Sequence, residues 1–400
     1  MTRALQLVAI AFLISAGAFA QDNAALLERM RAMEDRIKSL EAEVADLKGQ
    51  KPVVAAAPVA PQAPETAPLP TGAGSAASAK VFNPDIAVIG DFLGAAGNGG
   101  PRPSPAFEMH ESEVSFQAIL DPYARADFFI SFGQEGVELE EGYLTFPALP
   151  GHFQLKAGKM RVAFGKVNTL HNHVLSWTDR PLVTQNLVGG EDGIDDAGFS
   201  LSRILPAPDG LFLEGTAQVI RGDSSDVFHA WRNSNVSTVG HLRAYRDIAE
   251  STNLDVGFSY ARGSSPVAPD LINQLYGIDA TVRWKPLRRS IYHSFVGRTE
   301  LVWDRNDKSL ITKTPFGYFV SADYQFARRW FIGGRFDQSE RATSAFDTDR
   351  GGSAVLTYWP SEFSQIRGQL RRTSYAEGIT ANELLFQFMF SIGAHGAHPF

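Results

Sequence analysis

The stretch Tyr276-Gly277-Ile278-Asp279-Ala280-Thr281-Val282-Arg283-Trp284 alternates without a break between apolar residues and small or charged ones. Successive side chains of a strand point to opposite faces, so this segment has one apolar face and one wet face. The pattern recurs. Val114, Phe116, Ala118 and Leu120 oppose Glu113, Ser115 and Gln117. Leu254, Val256, Phe258 and Tyr260 oppose Asn253, Asp255, Gly257 and Ser259. Phe316, Tyr318, Val320, Ala322, Tyr324 and Phe326 oppose Gly317, Ser321, Asp323 and Gln325, with Phe319 as the exception. Repeated alternating segments separated by turns, with aromatics such as Trp284 and Phe326 ending the apolar face, are the pattern of a β-barrel in a membrane. A water-soluble sandwich also alternates, but it has no need of so many aromatics on its apolar face.

The punctuation falls into two classes. Short turns occur at 121–122, 150–151, 206–210, 249–251, 286–289, 327–329 and 360–361. Longer polar or Gly-rich connections lie near 94–107, 133–137, 161–195, 222–235, 261–271, 305–311, 338–349 and 374–380. Seven short and eight long connections join sixteen strands, an even number with both chain ends on the short-turn side. The expected fold class is therefore all-β, a 16-stranded antiparallel transmembrane β-barrel over 81–400, with an N-terminal coiled-coil helix.

Residues 1–20 carry Arg3, an apolar core from Leu5 to Ile14 and Ala18-Phe19-Ala20, the features of a secretory signal peptide. Leu26, Met30, Met33, Ile37, Leu40, Val44 and Leu47 recur at heptad spacing, which predicts a coiled coil over 22–49. Six Pro and ten Ala in residues 51–79 predict an extended linker over 50–80. The coil and linker are expected on the periplasmic side of a bacterial outer membrane, with the coil as a route to self-association or to cell-wall contact. The last strand ends in the apolar face Leu384, Phe386, Phe388, Phe390 and Ile392, and the sequence closes on Phe400, expected as an assembly signal.

Composition narrows the function. The 400 residues hold 37 Lys+Arg against 44 Asp+Glu, a net charge of -7, which argues against a nucleic-acid partner. Cysteine is absent, so no disulfide, thiol nucleophile or thiolate metal site exists. No Gly-x-Ser-x-Gly, phosphate-cradling Gly-Lys-Ser/Thr or His-Glu-x-x-His motif occurs, so no enzyme activity and no cofactor are expected.

Signal peptide, coil, Ala/Pro linker, barrel and terminal Phe together resemble the phosphate-selective porin type, the O/P porins and their relatives. The stretch Gly158-Lys159-Met160-Arg161-Val162-Ala163-Phe164-Gly165 is similar to the Gly-Lys-x-Arg-x-x-Phe-Gly segment that leads into the third external loop there. The resemblance implies sixteen strands, a homotrimer and passive diffusion of small hydrophilic or ionic solutes. The family's ladder of lumen arginines and lysines has no residue-by-residue match here, so phosphate selectivity is not carried over. A plugged receptor of the TonB-dependent kind lacks room for its plug before the barrel. The alternatives to a porin are a structural anchor of the outer membrane and a gated receptor or transporter.

The 161–195 connection is far longer than most loops. Its apolar Trp177, Leu182, Val183, Leu187 and Val188 need a packing surface, which predicts a loop folded inward to constrict the pore. The constriction candidates are His171, His173, Asp179, Arg180, Glu191, Asp192, Asp195 and Asp196. His171-x-His173 with a carboxylate is a weak zinc signal, and no metal site is assigned. On the wall, Lys156, Arg243, Arg283, Arg335, Arg367 and Arg371 are the lumen candidates. Gln365, Arg367, Gln369 and Arg371 share one strand face. An acidic loop facing a basic wall would set up a transverse field, in which neutralising Arg367 and Arg371 lowers anion permeability.

Overall fold

A strand with one apolar and one polar face must place the two in different surroundings. A closed barrel does this for every strand at once and leaves no unpaired edge. The structure is a computed structural model and describes residues 38–39, 84–133, 136–224, 226–306 and 314–393.

The first strands are β1 (Asp85–Asn98), β2 (Phe107–Asp121), β3 (Ala124–Gly133), β4 (Gly136–Leu149), β5 (Phe153–Arg161) and β6 (Asp195–Leu205). Next come β7 (Leu211–Ile220), β8 (Ser237–Ala249), β9 (Thr252–Ser264), β10 (Ile272–Trp284) and β11 (Ser294–Asn306). The last five are β12 (Phe316–Ala327), β13 (Trp330–Arg341), β14 (Ser344–Ser361), β15 (Ser364–Ser374) and β16 (Thr380–Gly393). Each strand pairs with its sequence neighbours, and β1 closes on β16. That closing ladder is antiparallel, from Ala87↔Gly393 to Asn98↔Asn382. The sixteen strands match the reading of the sequence. The connection lengths differ at three places. The segments 133–137 and 338–349 are expected as long loops, but β3 ends at Gly133 with β4 starting at Gly136, and β13 ends at Arg341 with β14 starting at Ser344. The short turn expected at 286–289 is instead a longer connection from Trp284 to Ser294.

The two faces separate as their chemistry requires. Phe258, Val320, Phe336, Leu356, Leu370, Leu384 and Phe386 are exposed large apolar side chains on the outside. Asp255, Ser259, Asp279, Glu300, Arg335, Asp337, Arg367, Gln369 and Gln387 are buried on the opposite phase of their strands. A polar interior inside an apolar band suits a bilayer and no other solvent.

The coiled-coil part of the fold expectation is corrected. Among the described residues the longest helix is α1 (Leu182–Leu187), six residues long and within the chain segment between β5 and β6. No helix among the described residues is long and apolar enough to cross a membrane. Of the proposed 22–49 coil only Lys38 and Ser39 are described. The other heptad positions, the signal peptide, the linker and Phe400 lie outside the described residues.

The outward face gives the first test. Leu370 sits mid-strand on β15 and is 62% exposed. Leu370→Arg is expected to lower the barrel's unfolding free energy in liposomes by about 2–4 kcal/mol near the bilayer midplane. Reversible urea titration followed by tryptophan fluorescence measures it, and an unchanged midpoint would remove Leu370 from the lipid face.

Candidate functional site: the segment inside the barrel

The chain between β5 and β6, residues 162–194, does not project from the barrel. It turns back into it. Gly165 N–H donates to Ser259 Oγ at 2.8 Å. Lys166 N–H and Val167 N–H donate to Glu300 Oε2 at 3.1 and 3.2 Å. Thr178 N–H donates to Gln369 Oε1 at 2.9 Å. Ser259, Glu300 and Gln369 each lie near the middle of their strands, so the segment reaches mid-height in the lumen.

Gly165 makes the inward turn possible. Its φ is +62°, and a Cβ there would collide with the Glu300 carboxylate. Gly158, at the other end of the same motif, has φ +142°, and a Cβ there would collide with the Gly142 carbonyl across the β4–β5 ladder.

Apolar packing supplies most of the hold. Val162, Phe164, Val167, Leu175, Trp177, Val183, Leu187, Val188 and Ile194 of the segment form one buried cluster with wall residues that include Leu275, Val302, Phe319 and Val355. These four wall residues face inward, against the polar trend of that face. Phe319, the exception in the alternation of β12, is 1% exposed and meets Trp177 edge-on at 5.4 Å. The pair contributes about 0.5–1.5 kcal/mol beyond its area.

A polar latch fixes the same corner. Asp179 Oδ2 accepts from Arg335 Nη2 at 2.9 Å and from Arg371 Nη1 at 3.0 Å. The Asp179 carbonyl accepts from Arg335 Nη1 at 2.8 Å, and Gln369 Nε2 donates to Asp179 Oδ1. Arg367 Nη1 donates to the Trp177 carbonyl at 3.1 Å. The Arg335 guanidinium also lies 4.9 Å from the Trp177 ring centre. Burial pushes the Asp179 carboxyl up, but Arg335 and Arg371 outweigh it and hold it below the ordinary carboxylate range.

The remaining loop candidates have distinct placements. Arg180 is turned back on the segment itself. It donates to Asn172 Oδ1 at 2.9 Å and to the carbonyls of Leu170 at 2.8 Å and Val167 at 3.2 Å. Glu191 meets His110 Nε2 of β2 at 3.0 Å. The Asp192 carbonyl accepts from Arg161, while Asp195 Oδ2 pairs with Lys159 at 2.8 Å. Asp196 is buried and accepts from the N–H groups of Gly222 and Asp223 at 2.7 and 2.9 Å, so it caps the neighbouring loop.

His171 lies in an acidic cage. Its Nδ1 is 2.7 Å from Glu113 Oε2 and 3.0 Å from Glu140 Oε2, and its Nε2 is 2.8 Å from Glu141 Oε1. Burial alone would lower its pKa, but the three carboxylates raise it well above the ordinary histidine range. His173 stands beside it with ring centres 5.6 Å apart.

The wall candidates are spread around the lumen. Arg335, Arg367 and Arg371 hold the segment as described. Arg243 forms a two-pronged bond to Asp255, at 2.9 and 2.8 Å. Arg283 is 3.7 Å from the same carboxylate. Lys156 lies 4.3 Å from the centre of the Tyr143 ring. The sequence reading missed the carboxylates that meet these groups: Glu140 and Glu141 around His171, Asp337 on Arg335, and Glu383 on Arg371. The Glu138 to Glu141 acidic run was visible. Its inward aim comes from a bulge at Phe129/Ile130 that lets neighbouring Glu140 and Glu141 both face inside.

The latch predicts a sign in pH. A carboxylate with a depressed pKa stabilises above its unfolded pKa, about 3.9, and that stability is lost as pH falls through the folded value. Protease cleavage within 162–194 should therefore stay slow at neutral pH and rise only below about pH 4. Asp179→Asn should raise it at pH 7. Equal cleavage of both proteins at pH 7 would show that the latch holds nothing.

No family model matches the chain. A relative described as an uncharacterized protein of Aquifex aeolicus (strain VF5) is 29% identical over 388 residues, covering 81% of each chain. Among solved structures, the chain is similar to OprB of Pseudomonas putida in its high-pH structure, with TM-score 0.54, 10% identity, and 78% and 95% of the two chains covered. It is also similar to OmpT, an outer membrane protein of Vibrio cholerae, in its trimer form, with TM-score 0.52, 8% identity, and 77% and 99% covered. The outer membrane channel DcaP of Acinetobacter baumannii gives TM-score 0.51, 10% identity, and 78% and 96% covered. At these identities the likeness is one of fold, and that fold is the sixteen-stranded barrel of bacterial porins.

Proposed function

We propose that this chain is an outer-membrane porin through which small hydrophilic solutes diffuse passively, in a pore narrowed by residues 162–194. The observation that carries this reading is the segment held at mid-height of a polar lumen by Ser259, Glu300 and Gln369. A barrel of sixteen strands is otherwise wide enough for bulk water. The trimer form of the similarly folded OmpT supports a homotrimer here, with one pore per chain.

The ion preference follows from which charges are already paired. Arg243 is closed on Asp255, Arg335 on Asp179 and Asp337, and Arg371 on Asp179 and Glu383. An anion passing them meets guanidiniums that have carboxylate partners. Asp279 and Glu300 are direct cross-strand neighbours on the inward face of β10 and β11, so two carboxyl groups share one patch of wall. This favours cations, and it argues against the phosphate selectivity of the porin type that the Gly158–Gly165 stretch resembles.

Single-channel recording of the protein in a planar bilayer under a salt gradient tests both parts. Stepwise conductance in groups of three and a reversal potential of cation-selective sign are expected. An anion-selective sign would overturn the charge argument, and a folded barrel with no conductance would overturn the porin.

A further inference from the structure

We propose that Glu113, His171 and His173, with Glu111 beside them, form a zinc site that staples the inward segment to the wall of the barrel. One ligand atom from each of the four residues lies within 4.8 Å of the others. Ligands about 2.0–2.2 Å from a tetrahedral zinc lie about 3.4 Å from one another, so the widest pair here would close by at most about 1.4 Å, within reach of side-chain rotation. All four residues are more than nine-tenths buried.

The geometry around His171 points to a metal. Its Nε2 is held by Glu141 Oε1 at 2.8 Å, and Glu141 Oε2 is itself fixed by the Arg161 N–H at 2.9 Å. Carboxylate partners of this kind orient metal-binding histidines by taking the N–H of the ring nitrogen that does not bind the metal. With Nε2 so committed, Nδ1 faces Glu113 Oε2 at 2.7 Å. Neither atom has a hydrogen bond of good geometry despite that approach. The His173 Nδ1 lies 3.7 Å from the same carboxylate oxygen. One oxygen thus stands between two imidazole nitrogens, which suits a shared cation better than a linear hydrogen bond.

Charge gives the same answer. Glu111, Glu113, Glu140 and Glu141 crowd one side of the lumen, and Arg161 is the guanidinium paired into the group, through Glu140 at 2.8 Å. Burying several carboxylates against one guanidinium calls for further positive charge, which a protonated His171 or a bound cation can supply. Imidazole and carboxylate together suit zinc among the common divalent ions. Such a site would join β2 to the first third of the segment, just upstream of the Asp179 latch.

Zinc binding is read without reference to conductance, so it stands or falls apart from the porin reading. The full protein in detergent, stripped with chelator and re-equilibrated with Zn²⁺ alone, should retain one zinc per chain by elemental analysis after gel filtration. Glu113→Gln and His173→Gln should lose stoichiometric zinc. Glu141→Gln, which keeps all four ligands, should weaken binding about 10–100-fold. Heat-modifiable migration on gels reports whether each variant is a folded barrel. Co²⁺ added to the wild-type protein gives a second readout that needs no variant, a visible absorption band of a low-coordinate site. The site would be overturned by wild-type protein that retains no zinc and shows no cobalt band, or by folded variants that bind as the parent does.

Discussion

The ladder between β1 and β16 is the constraint on which everything else rests. Inside a bilayer no water is available to satisfy a backbone N–H or C=O, so an open sheet edge is not tolerated. The pairing of Ala87 through Asn98 with Gly393 through Asn382 removes the last edge. Closure then fixes the rest. Inward side chains share one enclosed volume, outward ones share one apolar surface, and the two ends of the sheet meet at the short-turn rim. Only a connection at the other rim, and only a long one, can reach deep into the enclosed volume. Residues 162–194 do so.

Two kinds of interaction hold that segment, and they have different tasks. Burying a Val, Leu or Phe side chain stabilises by roughly 1.5–3 kcal/mol each. The cluster around Trp177, Val183, Leu187 and Phe164 therefore outweighs any single polar contact. A buried ion pair contributes little net stability over an apolar replacement, because desolvation consumes much of the attraction. Breaking one half is another matter. Arg335, 1% exposed at its side chain, would lose Asp179 and leave a charge in a closed site. The apolar cluster thus supplies the stability, and the arginine latch specifies where the corner at Trp177 and Asp179 sits.

Much of this was legible in the sequence, for a local reason. Alternation depends on neighbours in the chain, so strand number could be read directly, while turn residues marked where strands end without fixing how long each connection is. The packing need of Trp177, Leu182 and Val183 was equally plain, and Phe319 stood out as an unexplained apolar residue on a polar phase. That Phe319 and Trp177 answer each other was not legible, because 142 positions separate them and no local rule links them. The partners of the arginines were hidden for the same reason. The bulge that turns both Glu140 and Glu141 inward depends on register with β3, which residue type does not set. The heptad spacing of 22–49 is a local period of the same kind, but apart from Lys38 and Ser39 it lies outside the described residues, and no long helix is among those described.

The character of the proposed constriction follows from how its supports are distributed. The segment is bound near its start by Ser259 and Glu300, at its corner by Arg335, Arg367 and Gln369, and at α1 by Asp337, which accepts from the Leu182 N–H at 3.2 Å. A lid that swings must break a few contacts at one end and keep a hinge at the other. Here no free end exists, and outward movement would expose Trp177 and Phe164 to water while stranding Arg335 and Glu300. Packed, bistable elements switch between discrete arrangements, and the contacts described for this segment belong to one arrangement, anchored at several points along it. On the proposed porin reading, the passage would be a fixed gap between the segment and the wall. Its selectivity would then be set by the side chains lining that gap rather than by opening and closing.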